Sequence, residues 1–189
     1  MISAILLSAG QSKRMGGKNK LTEKIQNNFL IQHSVNNILE SPVDELIVVL
    51  GHEKEMIEKI IEKNEKIKFV FNKNFKEGMA SSIKTGLNHL SKKTEFFFIC
   101  LGDMPLVNKN IYKKILESKK NFEIIIPTYK GAVGNPVLFS ISMINEIKSL
   151  EGDVGAKKIF HLHKEKITQV EVNDLGITKD FNTKESFNF

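Results

Sequence analysis

Cysteine occurs once in these 189 residues, at Cys100, and tryptophan does not occur at all. A single cysteine excludes an internal disulfide and fits a reducing compartment. No apolar run approaches the roughly 20 residues that a membrane-spanning helix needs, so no membrane partner is expected. No basic segment precedes the first apolar stretch, and polar residues follow it at once. A secretory leader is therefore not expected, and the expected location is cytoplasmic. The net charge is +6, from 28 basic against 22 acidic residues, but it is scattered and mostly lysine. Without a long cationic run, small anionic substrates are favoured over a nucleic-acid groove. Repeats, low-complexity segments and linkers are also missing. The length is that of one domain, residues 1–189, with room for a substantial core.

What the chain does contain is an alternation of short apolar runs with helical patterns. Ile2–Leu7, Glu45–Leu50, Ile67–Phe71, Phe96–Leu101, Phe122–Ile126 and Lys166–Val172 read as strands, with Pro136–Phe139 as a further one. Between them Leu30–Leu39, Lys54–Ile61, Met79–Leu90, Asn108–Leu116, Met143–Leu150 and Val154–His161 read as helices, with Asn108 as a cap. Phe96–Leu101 (FFFICL) is the most apolar and reads as a central strand buried on both faces. This order predicts an α/β fold: βαβ units building a mainly parallel sheet with helices on both faces. Ligands collect at the carboxyl ends of the strands in such sheets.

The residues that follow two strand ends carry chemistry. After Ile2–Leu7 comes SAGQSKRMGGKNK, a loop rich in glycine and cations. Glycine permits close backbone approach, free N–H groups attract anions, and Arg grips phosphate bidentately. The loop matches no G-x-x-x-x-G-K-[ST], because Asn19 follows Lys18, and no G-x-G-x-x-G. It reads as a polyphosphate cradle or as a solvated basic loop. After FFFICL comes Gly102-Asp103-Met104-Pro105. Asp103 is placed to hold Mg²⁺ or to form a turn. His161 and His163 would point to different helix faces, which does not suit a metal. His33, His52 and His89 read as surface or packing residues, and Cys100 as an inert buried thiol.

Six segments then occur in a telling order: LSAGQSKRMG…KL, EGMASSIKTGL, LGDMPLV, GNPVLF, GDVGAK and DFNTKES. With them the chain resembles the molybdenum cofactor nucleotidyltransferases, and within these the cytidylyltransferase branch, from Ile2 to about Glu185. The resemblance implies a Rossmann-like nucleotidyltransferase fold, with CMP transfer from CTP to molybdopterin-type cofactor and release of pyrophosphate. It places Arg14 and Lys20 on the triphosphate, and Leu7, Ala9 and Gly10 around base and phosphates. Asp103 becomes the Mg²⁺ ligand, and Ser81 and Ser82 line the nucleotide site. Gly134, Asn135 and Pro136 form a substrate-side loop, and Asp153 belongs to the pterin side. A molybdenum hydroxylase or its chaperone is the implied recipient of the product.

The chain departs from that pattern in three places. Asn19 stands where the lysine usually falls, so Lys20 or Lys18 takes its role, with Leu21 pointing to Lys20. Asn27-Asn28-Phe29 lacks the usual Gly and Pro. Asn182 replaces an acid that could serve as second metal ligand, although its carbonyl still suits Mg²⁺. Ala9 replaces a glycine of the guanylyl branch and so points to CTP rather than GTP. The alternatives are guanylyl transfer, a sugar phosphate or methylerythritol phosphate acceptor on the same fold, and a non-catalytic module that delivers cofactor.

Overall fold

The computed structural model describes residues 1–15, 18–119, 122–183 and 186, and for Arg14 the backbone alone. Gly16, Gly17, Lys184 and Glu185 of the motifs above lie outside the described residues. In chain order the strands are β1 (Ile2–Ser8), β2 (Lys24–Ile25), β3 (Asn28–Phe29), β4 (Glu45–Leu50), β5 (Ile67–Phe71), β6 (Phe96–Leu101), β7 (Ile124–Tyr129), β8 (Ala132–Val133), β9 (Val137–Ser140) and β10 (Ile167–Glu171). The α-helices are α1 (Leu30–Leu39), α2 (Lys54–Ile60), α3 (Met79–Leu87), α4 (Lys109–Glu117) and α5 (Ile144–Lys148).

The main sheet runs β10-β7-β9-β6-β1-β4-β5, with β8 paired to β7. Pairs β1–β4, β1–β6, β4–β5 and β7–β10 are parallel, whereas β9 runs antiparallel to both β6 and β7. Alternation along the strands explains why helices cover both faces. Ala4, Leu6, Leu46, Val48, Phe98 and Cys100 join the cluster beneath α1, α2 and α4. Their neighbours Ile5, Ile47, Val49, Phe97 and Ile99 join a second cluster beneath α3 and α5. Successive side chains point to opposite faces, so two buried faces require runs with almost no polar residue.

The chain leaves β1 through α1 to reach β4 and β5, then returns through α3 to β6 on the other side of β1. The carboxyl ends of β1 and β6 therefore meet at a topological switch point, where open α/β sheets hold ligands. Because β9 is reversed, its leading residues Asn135 and Pro136, joined by a cis peptide, sit at this same edge.

Several local outcomes differ from the sequence-based expectation. The helix expected to Leu90 ends at Leu87, with the His89 N–H turning back to the Gly86 carbonyl at 3.0 Å. Residues Ala156–Leu162 form a 3₁₀-helix, burying Ala156 and Ile159, whose spacing of three matches three residues per turn. The hairpin β2–β3 was not expected. Asn108 does cap α4, its Oδ1 accepting from the Asn110 N–H at 3.0 Å.

Cys100 lies inside β6 with the Tyr112 hydroxyl 3.6 Å from its Sγ. Burial pushes its thiol up to about 12, against the lesser opposing pull of that hydrogen bond. A thiol so shifted holds almost no nucleophilic thiolate near neutrality. Native protein at pH 8 is therefore expected to resist iodoacetamide, and denatured protein to be alkylated once. Intact-mass measurement checks this; equal alkylation rates in the two states would mean that Cys100 is accessible.

Candidate active site

The site grows out of the ends of β1 and β6. The loop after β1 begins with Ala9 and Gly10; a Cβ placed on Gly10 would meet nothing within 4 Å. A backbone with open space before it can be approached closely by a ligand. Ser12 then turns through a left-handed conformation (φ 50°), and its carbonyl accepts from the Met15 N–H at 2.8 Å, closing the turn Lys13–Met15. Buried Asn19 caps the next turn, Lys20–Thr22, its Oδ1 accepting from the Leu21 N–H at 3.1 Å. The Lys20 N–H donates to Ser12 Oγ at 3.0 Å. These short-range bonds fold the loop back on itself and present the Lys20 side chain to the sheet edge.

Asp103 stands on a rigid base. The Gly102 N–H donates to the Leu7 carbonyl at 3.1 Å, Ser34 Oγ on α1 donates to the Gly102 carbonyl at 3.0 Å, and the Phe181 N–H donates to the Asp103 carbonyl at 2.9 Å. Lys20 Nζ ion-pairs with Asp103 Oδ2 and donates to Asn182 Oδ1 at 2.6 Å. Asn182 Nδ2 in turn donates to Asp180. The ammonium group thus marks the point on which two oxygens converge, both hard donors of the kind that Mg²⁺ or Mn²⁺ takes. Among the described residues no group of three or more His, Cys, Asp or Glu forms a complete metal site. A divalent ion at Asp103 and Asn182 would therefore draw its remaining ligands from phosphate and water.

A cavity of about 620 Å³ opens over this cluster. Its wall includes Leu7, Ala9, Gly10, Lys20, Ser82, Asp103, Asp153 and Asn182. Arg14 belongs to the turn Lys13–Met15, whose first residue also lines the cavity; its side chain is not among those described. Lys18 is exposed and not part of the wall, so of the two lysines it is Lys20 that reaches Asp103. Ser81 bonds within the loop before α3, its Oγ within 2.9 Å of the Asn74 and Gly78 carbonyls. Asn135, at the sheet edge, donates from Nδ2 to Met104 Sδ at 3.5 Å.

The far wall is the N-terminus of α3. Gly78 adopts φ 109°, and a Cβ there would lie 2.5 Å from the Asp153 backbone, so the close approach of these two segments requires glycine. Asp153 Oδ1 accepts from the Met79 N–H at 3.1 Å, a carboxylate at the positive end of the helix.

Sequence reasoning did not single out Asn72. It is buried behind the wall, where its Nδ2 donates to Ser81 Oγ at 2.8 Å and Ser82 Oγ at 3.0 Å. Its position directly after β5, at the ligand-binding edge, was the available signal. Asp180 was likewise left aside, although it lies in the same tail motif as Asn182.

Comparison with known proteins fits this geometry. The family model described as "MobA-like NTP transferase domain" matches residues 4–168. A probable molybdenum cofactor guanylyltransferase of Methanosarcina acetivorans is 27% identical over 98% of this chain and 85% of its own length. The molybdenum cofactor cytidylyltransferase of Escherichia coli K12 is 28% identical over 74% of this chain and 70% of its own. Among solved structures, the manganese complex of Rv0371C from Mycobacterium tuberculosis H37Rv superposes with a TM-score of 0.77 at 21% identity, covering 90% of this chain and 88% of that one. With the switch-point cavity and a model that matches most of its length, this chain belongs to the MobA-like NTP transferase domain family.

Proposed function

We propose that this protein transfers CMP from CTP to a molybdopterin-type cofactor, releasing pyrophosphate, and that the product passes to a molybdenum hydroxylase or its chaperone. The observation that carries the reading is the meeting of Lys20 with Asp103 and Asn182 beneath the loop after β1. An ionised phosphate oxygen of the acceptor attacks the α-phosphorus; the bond to the bridging oxygen breaks and pyrophosphate leaves. The nucleophile is already an anion, so the protein needs no general base. Its work is positioning and charge stabilisation, as in other phosphoryl transfers.

Lys20, freed from Asp103 by an arriving triphosphate, neutralises charge that builds on the leaving pyrophosphate. Arg14 adds a second cation from the same loop. Open backbone at Gly10 lets the phosphates lie close to the chain. Ser82, oriented by Asn72, offers a hydroxyl to the nucleotide. Magnesium held by Asp103 and Asn182 would supply Lewis-acid neutralisation of the phosphates. Asp153 stands on the opposite wall, and the acceptor is assigned to that side.

Ala9 supports CTP over GTP: a methyl group stands where the guanylyl branch carries glycine. The guanylyl reading is favoured by the Methanosarcina acetivorans relative, which matches 98% of this chain. Pyrophosphate release with Mg²⁺ and a molybdopterin acceptor separates the two. CTP is expected to exceed GTP in kcat/KM by about tenfold or more, the discrimination that one snug pocket contact supplies. Faster turnover of GTP would establish the guanylyl reading. Nucleotide binding with no pyrophosphate release from either would make the protein a binding module.

A further inference from the structure

Asp180 and Asn182 both line the cavity, the first charged and the second neutral. Phe181 is buried in the core, and its N–H donates to the Asp103 carbonyl at 2.9 Å. This anchor holds the residues on either side, Asp180 and Asn182, at the cavity wall. An asparagine amide has one end that accepts and one that donates, and nothing in its shape distinguishes them. At Asn182 both ends are engaged: Oδ1 accepts from Lys20 Nζ at 2.6 Å, and Nδ2 donates to the Asp180 carboxylate.

A carboxylate is an acceptor only. The reversed amide would set its oxygen against Asp180 and its NH₂ against the Lys20 ammonium, repulsive on both sides. We propose that Asp180 is a positioning residue that fixes the Asn182 amide with its oxygen aimed at the cation position beside Asp103, so that a neutral side chain serves as a ligand there. Partners one shell out from a metal act in this way, by orienting the groups that ligate it. The inference rests on the reading that a nucleotide-borne divalent cation takes the place Lys20 marks. It concerns the Asp180 carboxylate, whose hydrogen bond is to Asn182 Nδ2.

The test reads Mn²⁺ affinity by electron paramagnetic resonance, in the presence of a non-hydrolysable analogue of CTP and, separately, of GTP. Asp180→Asn is expected to weaken Mn²⁺ binding about tenfold, the low end of what such outer partners contribute. The double variant Asp180→Asn/Asn182→Asp is expected to recover wild-type affinity, because a carboxylate at 182 presents oxygen whichever way it turns. Repeating the comparison at high salt removes the effect of a charge acting from a distance. An Asp180→Asn affinity within about twofold of wild type, below the range for orienting partners, would overturn the proposal. So would a loss that disappears in high salt, a double variant that does not recover, or wild-type protein that binds no Mn²⁺ with either analogue. Pyrophosphate release is measured in parallel on wild-type protein. Its absence, with the Mn²⁺ pattern intact, removes the transferase reading and leaves the role of Asp180 standing.

Discussion

Asp103→Asn is expected to lower kcat for pyrophosphate release by about 10²- to 10³-fold, the range in which loss of one preorganised electrostatic group is felt. The substitution keeps the shape of the side chain and removes its charge. It leaves in place the bonds that hold the main chain of residues 102 and 103, Gly102 N–H to Leu7, Ser34 Oγ to the Gly102 carbonyl, and Phe181 N–H to the Asp103 carbonyl, and it changes only the side-chain pairing with Lys20. The fold should therefore survive, with an unchanged far-ultraviolet circular dichroism spectrum. The loss should fall mainly on kcat rather than KM, since a charge that bridges developing phosphate anions matters most in the transition state. An unchanged rate in a folded variant would remove Asp103 from the reaction.

The central strands were legible because burial on both faces leaves no place for polar residues. ELIVVL and FFFICL became β4 and β6 with the expected bounds, and IKFVF, at the edge of the sheet with Lys68 exposed, became β5. The hairpin β2–β3 was not legible. Each of its strands has two residues, and its turn is made by Gln26 and Asn27, both at positive φ. Asn27 is a familiar turn residue but Gln26 is not, so no strong signal marked the pair.

The site divides along a similar line. Ala9, Gly10, Lys20 and Asp103 follow strand ends, and the topology alone carries such residues to one edge of the sheet. Asn72 meets Ser82, ten residues away, in a contact that exists only once α3 has docked, and Asp180 meets Asn182 two residues on, a local pairing that follows no strand end. The choice between Lys18 and Lys20 likewise turned on the cap at Asn19, which commits the chain to a turn and carries Lys20 inward.

Lys20→Met is expected to produce two separable effects. Its side chain and that of Asp103 are only 18% and 13% exposed, so removing the ammonium strands a carboxylate that water reaches poorly. A buried charge-assisted partner left unmade costs about 1–3 kcal/mol, and the variant should be less stable by that amount in urea unfolding. Activity should fall as well, by about 10²- to 10³-fold in kcat/KM, because the cation proposed to meet the triphosphate is gone. Adding Asp103→Asn separates the two effects. The stranded charge disappears, so the double variant should regain stability over Lys20→Met, a non-additive result that measures the coupling of the pair. Its activity should stay at or below that of either single variant, because the groups that stabilise the transition state are both absent. If the double variant were no more stable than Lys20→Met, the ion pair would not hold in solution. If Lys20→Met kept wild-type kcat/KM, the phosphate-binding cation would have to come from elsewhere in the loop, leaving Lys20 only its structural bond to Asp103.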